Sequence, residues 1–230
     1  MPSPPAQSAF DYIRDPDAIS AESFRRIRAE ARLGHLPGLM QAVAERVIHA
    51  TALIEAADHL RFSEDAPERV RAALENGAPI LVDAHMVARG ITRRFLPTDN
   101  AVICRLDDDG VAAAAKTRGE TRSAIAVERW AEDLEGAVCV FGNAPTALFR
   151  LLEMLLNGAP KPAAILGFPV GFVGAAESKQ ALFEQVMTGP SENPLAGIPV
   201  ITMAGRLGGS AVAAGAVNAI ALGQNPGDTP

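Results

Sequence analysis

The sequence has few aromatic residues and few cysteines, and each scarcity narrows the class of protein. Phe, Tyr and Trp make up 5% of its 230 residues, so Ala, Val, Leu and Gly carry most of the apolar content. Small aliphatic side chains favour helices packed closely on a parallel sheet over a sandwich of antiparallel strands. The two cysteines, Cys104 and Cys139, lack the spacing of metal ligands and allow at most one disulfide. We interpret both as buried free thiols in strands.

A basic surface of the kind that binds nucleic acid is also missing. The chain has 21 Lys and Arg against 27 Asp and Glu, a formal net charge of -6, which argues against a nucleic-acid partner. No apolar run approaches membrane-spanning length, and residues 1–7 have neither the basic nor the apolar region of a signal peptide. We therefore expect a cytoplasmic protein without a membrane segment. A local cluster of arginines can still bind an anionic small molecule.

Hydrophobic patterning predicts an α/β fold of alternating strands and helices. Continuous apolar runs, typical of strands buried on both faces, occupy 78–83, 101–106, 137–141, 163–167 and 198–202. Helical periodicity and caps predict helices at 20–33, 37–51, 66–76, 123–134, 146–156, 177–186 and 210–222. We predict one domain over residues 1–230, with loose tails at 1–9 and 223–230. Its architecture is three-layered, with a mostly parallel five-stranded sheet and helices on both faces.

Glycine-rich loops follow the last three predicted strands, at 142–146, 167–174 and 204–210. In a parallel sheet these loops share the carboxyl edge, where ligands bind in open α/β folds. Glycine lets backbone N–H groups approach a ligand closely, although it equally serves a tight turn. We interpret the three loops together as a binding surface. No dinucleotide fingerprint and no phosphate-loop lysine pattern is present, so a nucleotide is not predicted.

Histidines and arginines supply the candidate functional groups. His49 closes an amphipathic helix among small residues, and His85 follows a strand end; either could instead be a structural residue. The histidines have no i, i+4 pairing, and only Asp58 beside His59 has zinc-ligand spacing, so the sequence predicts no metal site. Arg14, Arg122 and Arg206 are candidates for gripping carboxylates, because a guanidinium binds them bidentately. Arg14 could equally be a solvated surface charge, and Arg122 could support its own loop.

Several segments together resemble one known family, the precorrin-8X methylmutases, also called precorrin isomerases. The resemblance runs in order from about Asp11 to Ala221. The matching segments are DYIRD at 11–15, SFRRIRAE at 23–30, RVIHA at 46–50, GAPI at 77–80, DAHMV at 83–87, NAVIC at 100–104, TRSA at 121–124, GNAPTAL at 142–148, GFVGAAESK at 171–179 and GRLGGS at 205–210. Each segment alone is modest, but the ordered set is specific.

The resemblance implies an activity and a set of roles. Family members move a methyl group from C-11 to C-12 of precorrin-8X, giving hydrogenobyrinic acid in cobalamin (vitamin B12) biosynthesis. They use no metal or organic cofactor, and they are homodimers with the substrate pocket near the subunit interface. The resemblance places the proton donor and acceptor at His49 and a substrate-contacting serine at Ser23. It favours Arg122 as the arginine that meets the substrate.

Two other functions stay open beside this one. The same reaction on a cobalt-containing substrate, cobalt-precorrin-8, shares these motifs, although the N-terminal and NAVIC segments favour the metal-free route. A tetrapyrrole carrier would need the arginines and glycine loops but not His49. If His49 is not the acid, His85 is the next candidate. A dinucleotide enzyme is disfavoured by the missing fingerprint.

Overall fold

Nine α-helices, two short 3-10 helices at Ile54–His59 and Arg93–Phe95, and six strands lie in the part of the chain that the structure describes, residues 10–190 and 192–225 of a computed structural model. The strands are β1 Leu60–Phe62, β2 Ile80–Val82, β3 Val102–Ile103, β4 Val138–Phe141, β5 Ala164–Gly167 and β6 Val200–Met203. The helices are α1 Pro16–Glu30, α2 Gly38–Thr51, α3 Ala66–Glu75, α4 His85–Gly90, α5 Val111–Arg118, α6 Arg122–Glu128, α7 Pro145–Leu156, α8 Ala175–Met187 and α9 Ser210–Leu222. Each predicted helix is present, while α4 and α5 are additional. No helix within these residues is long and apolar enough to cross a membrane.

The strands form one sheet in the order β1-β6-β5-β4-β2-β3. The five predicted strands are mutually parallel, and β1 is an additional edge strand that pairs antiparallel with β6. The mostly parallel sheet is therefore confirmed, but the predicted number of five strands is wrong by one. β1 has only three residues, with the exposed Arg61 at its centre, so its sequence carries too little apolar pattern to predict a strand. Pairing with β6 determines its conformation.

Both faces of the sheet are covered, which confirms the three-layer prediction. On β4, Val138 and Val140 pack into a core shared with α2, α3, α4 and α9, whereas Cys139 and Phe141 pack into a second core with α7 and α8. All four side chains are fully buried. Because successive strand residues point to opposite faces, continuous apolar strands are what two covered faces require.

Two predicted elements end well before their predicted last residues. β3 ends at Ile103, so Cys104 lies beyond the strand and is only half-buried, whereas Cys139 is buried within β4 as predicted. The helix predicted over 123–134 ends at Glu128. The following turns still bury Trp130 and Leu134 completely, so the apolar spacing there reflects packing and not helix.

The predicted tails fall largely outside the described residues, which exclude 1–9 and 226–230. Asn225, in the tail predicted to be loose, is 2% exposed. Its amide nitrogen donates to the Ala42 carbonyl at 2.8 Å, and its amide oxygen accepts from Arg46 Nε at 2.7 Å. The end of the described chain is thus anchored on α2. The amino-acid composition of residues 223–230 does not reveal a side-chain partner so distant in the sequence.

The connections of the sheet create a switch point between β2 and β4. From β2 the chain moves outward to β3 and then returns to β4 on the other side of β2. The connection after β2 leads towards β3 and the connection after β4 leads towards β5, so the two leave the carboxyl edge in opposite directions, the arrangement that creates a crevice in open α/β sheets. Ligands commonly bind at such a crevice in open α/β folds.

Candidate active site at the carboxyl edge of the sheet

Ser23 and His49, to which the family resemblance assigns separate roles, are in direct contact. Ser23 Oγ and His49 Nδ1 are 2.9 Å apart. The ring of His49 stacks on Phe24 with centroids 5.1 Å apart and planes at 16°. Phe24 is almost completely buried, while His49 itself is exposed. The histidine is therefore fixed on one side and open to a ligand on the other.

Local sequence explains how the two helices present this pair. The Asp15 carboxylate caps α1 by accepting a hydrogen bond from the Ala18 N–H at 2.7 Å, with Pro16 as the first helical residue. α2 ends just after His49 because Ala52 adopts a left-handed conformation with a φ of 56°. His49 thus lies in the last turn of its helix.

Packing and a neighbouring cation set the protonation of His49. Partial desolvation of the ring, one face of which packs on Phe24, lowers its pKa below the ordinary value, and the Arg46 charge lowers it further. Arg46 lies over the Phe24 ring at 4.8 Å and is held by Asn225. The free protein therefore favours the neutral imidazole. The Ser23 hydroxyl donates to Nδ1 when the ring proton is on Nε2 and accepts from Nδ1 when the proton is there.

The packing of α2 against α9 places His49 at the carboxyl edge of the sheet. α9 begins at this edge, after β6, and Asn225 just beyond its end contacts Ala42 near the start of α2. Gly38 and Gly223 line the same surface groove. The two helices are therefore antiparallel, and the end of α2 lies near the start of α9. His49 shares this edge with the three glycine loops.

Arg122 belongs to a second group of polar residues at this edge. Its Nη1 lies 3.7 Å from Asp107 Oδ1, and His85 Nε2 lies 2.8 Å from Asp107 Oδ2. All three side chains are more than half exposed. Exposed ion pairs contribute only about 0–1 kcal/mol, so a ligand carboxylate can replace Asp107 on Arg122 at little cost. Sequence reasoning missed Asp107, although it opens a run of three aspartates directly after a strand segment.

Arg206 lies in the last glycine loop, which packs against the loop that follows β5. Gly209 N–H donates to the Phe168 carbonyl at 2.8 Å. Gly208 has a φ of +157°, and a Cβ there would lie 2.3 Å from that same carbonyl oxygen, so no other residue fits without movement. The Arg206 guanidinium lies 5.0 Å from the centre of the exposed Phe172 ring. Two of the predicted loops therefore form one continuous surface.

Lys179 supports this surface from below and was not predicted as a functional residue. It is 1% exposed, and its ammonium donates to the Leu207 carbonyl between Arg206 and Gly208. Burial lowers its pKa to about 8. It also lines a cavity of about 330 Å³ between α8 and the end of β6. The segment GFVGAAESK contains it, but the pattern does not indicate that the lysine is buried.

Asp83 holds the loop after β4 and was likewise missed. Its carboxylate accepts hydrogen bonds from the backbone N–H groups of Gly142, Asn143 and Ala144 at 2.7–2.9 Å. It is 2% exposed. Burial raises its pKa, and the three donors act in the opposite direction. Its position directly after a strand was visible in the sequence, but its partners 59–61 residues away were not.

Arg14 is the candidate with the least support from its surroundings. It is exposed, stacks over Tyr12 at 4.3 Å and donates to the Phe10 carbonyl at 3.2 Å. Of the five predicted site residues, only Ser23 and His49 bond to each other; Arg14, Arg122 and Arg206 contact other groups. Among residues 10–190 and 192–225, no cluster of three or more His, Cys, Asp or Glu side chains could hold a metal ion.

Comparison with known proteins gives a consistent result. The sequence model described as precorrin-8X methylmutase matches residues 18–222. A Pseudomonas aeruginosa protein named precorrin-8X methylmutase is 56% identical over 212 residues, covering 92% of this chain and 98% of its own length. A Salmonella typhimurium protein named cobalt-precorrin-8 methylmutase is 41% identical over 218 residues, covering 91% and 96%.

A solved structure agrees in three dimensions. The precorrin-8X methylmutase from Thermus thermophilus superposes with a TM-score of 0.78 at 40% sequence identity. The match covers 93% of this chain and 99% of that one. The similarity therefore extends over almost the whole of both chains.

Proposed function

The chain belongs to the precorrin-8X methylmutase family and is an isomerase, and we propose that it moves a methyl group from C-11 to C-12 of metal-free precorrin-8X with His49 as the acid and base. The product would be hydrogenobyrinic acid, an intermediate of cobalamin biosynthesis. The observation that supports this role is the placement of the His49 ring, which Ser23 and Phe24 fix on one side and which is open to a ligand on the other. No other histidine of the described residues combines these features.

The reaction leaves the atomic composition of the substrate unchanged. The bond from the methyl group to C-11 breaks and a bond to C-12 forms, so one proton donor and acceptor is sufficient. A proton given to a ring nitrogen near the migrating methyl makes the macrocycle electron-deficient and promotes migration. Returning the proton to the same group regenerates the catalyst, and histidine titrates in the required range.

The electrostatics of the site make this transfer dependent on the substrate. In the free protein, burial and Arg46 keep the pKa of His49 low. The tetrapyrrole brings several carboxylates, and their negative charge would raise the pKa of the ring on binding. Ser23 holds Nδ1, so Nε2 faces the ligand. General acid–base catalysis contributes about 10²–10⁴-fold, and holding the macrocycle in its reactive conformation supplies the rest.

The arginines around this edge would bind the carboxylate side chains. Arg122 is the first choice, because its present partner Asp107 is exposed and 3.7 Å away. Arg206 lies on the surface formed by the two glycine loops, and Arg14 would reach the ligand only if the residues before α1 fold towards it. Ser23 would serve chiefly through His49.

A homodimer in the cytoplasm is part of the same proposal. Support for the dimer comes from Phe172 and Val173, which are 83% and 89% exposed on the loop beside Arg206. With Val170 they form a group of exposed apolar side chains on one loop; contiguous apolar patches commonly mark interaction sites, and a second copy covering this one would lie next to the carboxyl edge.

The decisive experiment is an absorbance time course with metal-free precorrin-8X, run beside cobalt-precorrin-8. Wild type should convert the metal-free substrate to the corrin spectrum. His49→Ala should bind the substrate without converting it, and His35→Ala, which alters an exposed histidine in the α1–α2 loop, should retain full activity. Conversion of the cobalt substrate alone would contradict the metal-free assignment. Equal spectral shifts in wild type and His49→Ala would indicate a carrier, and residual turnover in His49→Ala would direct attention to His85.

A further inference from the structure

Asp83 occupies the position at which open α/β sheets commonly bind a ligand. It follows β2 at the switch point, and three backbone N–H groups ahead of α7 donate to its carboxylate. In other α/β proteins a bound anion accepts such bonds from the start of a helix. Here the anion is the protein's own buried carboxylate. The crevice is therefore closed to a ligand phosphate, and the loop at 142–146 is fixed.

The fixed loop leads directly to Arg122. Thr146, at the start of α7, shares a hydrogen bond of 2.7 Å with the hydroxyl of Thr121. Thr121 caps α6 by accepting from the Ala124 N–H at 3.2 Å, and Arg122 is the first residue of that helix. Both threonines are exposed, so this pair does not contribute to the packing of the core.

A second path also connects the Asp83 segment with Arg122. His85 begins α4 two residues after Asp83, and its Nε2 lies 2.8 Å from Asp107. The other oxygen of Asp107 lies 3.7 Å from the Arg122 guanidinium. Arg122 is thus linked to the chain at Asp83 by two routes, one through Thr121 at the start of its helix and one through Asp107 to its guanidinium.

We propose that Asp83 is a positioning residue for Arg122, which it places to receive a carboxylate of the tetrapyrrole. The proposal rests on the proposed function, because that function makes Arg122 a substrate contact. The amide of an asparagine has one acceptor oxygen and an NH₂ group that faces the N–H donors. Asp83→Asn therefore cannot satisfy all three donors, and the loop, Thr121 and the start of α6 should shift together.

A double-mutant cycle in steady-state kinetics tests the coupling. We expect Asp83→Asn to raise KM for precorrin-8X about tenfold and to leave kcat within about threefold of wild type. The reason is that misplacing Arg122 removes one charge-assisted hydrogen bond to the substrate, which acts in binding. Thr146→Val, which removes only the exposed link, should raise KM about threefold. In an Arg122→Ala background neither change should raise KM further. Thr188→Val, which removes a hydroxyl at the far end of α8, is the matched control and should change neither constant.

Backbone hydrogen exchange of the protein without substrate provides an independent readout. Asp83→Asn should exchange faster than wild type at 142–144 and in the first turn of α6. Unchanged exchange there, or an equal rise in KM with and without Arg122, would overturn the proposal. If wild type turns over neither tetrapyrrole, the proposed function fails by itself. The same cycle is then read as dissociation constants for hydrogenobyrinic acid, with the same pattern expected.

Discussion

Replacing Lys179 with methionine should change how the stability of this protein depends on pH. The side chain is 1% exposed and its pKa is lowered from 10.5 to about 8 by burial. Between about pH 8 and pH 10.5 the unfolded chain still holds a proton on this lysine that the folded protein has released. The free energy of unfolding therefore rises with pH across this window. Each pH unit between two such pKa values is worth about 1.4 kcal/mol, so the gain is about 3 kcal/mol.

At neutral pH the two effects of the substitution oppose each other. Lys179→Met removes a hydrogen bond to the Leu207 carbonyl, but it also removes the cost of burying an ammonium group. Wild type and variant should therefore be similar in stability near pH 7. Above pH 8 wild type should gain the additional 3 kcal/mol, and the variant should not.

Urea unfolding followed by the fluorescence of Trp130 measures this difference. Trp130 is the single tryptophan of the chain and is completely buried, so its emission reports loss of the core. Curves are recorded from pH 7 to pH 10.5 for wild type, Lys179→Met and Lys116→Met, the last altering an exposed lysine. Lys116→Met should follow wild type. Parallel stability profiles of wild type and Lys179→Met would refute the reasoning, since they would mean that Lys179 titrates alike in both states.

Three further predictions concern the site and the assembly. Arg46→Met removes a charge that lowers the pKa of His49, so the decrease of kcat/KM with rising pH should occur at a higher pH than in wild type. Arg46→Lys keeps the charge and should leave the pH profile of kcat/KM unchanged. An unchanged profile in Arg46→Met would mean that a group other than His49 titrates. Ser23→Ala should lower kcat by about three- to tenfold, because it removes one hydrogen bond to His49. This loss should be smaller than the loss in His49→Ala. Equal losses of kcat in the two variants would mean that Ser23 itself takes part in the reaction. Light scattering after gel filtration should give the mass of a dimer for wild type and a larger monomer fraction for Phe172→Ser, and a wild-type monomer would contradict the dimer.

Much of the fold could be predicted because the spacing of apolar residues along the sequence indicates which strands and helix faces are buried. Continuous apolar runs such as 137–141 indicate strands covered on both faces, and β4 is buried on both faces. Strand–helix alternation then implies parallel pairing and places the glycine loops at one edge. The ordered family segments assigned roles to Ser23 and His49, although only the structure showed that their side chains touch across 26 residues of sequence.

The tertiary structure decided which polar groups are buried and what they bind. β1 is a strand only because β6 pairs with it, and Arg61 gives it no apolar pattern. Asp83 and Lys179 look like ordinary charged residues in the sequence, yet both are buried and each holds a loop of the candidate site. A hydrophobic pattern reports the burial of neighbouring residues, which share one element. The partner of a charged side chain is fixed only when folding brings distant segments together, because its hydrogen bonds depend on atoms that no local window of sequence contains.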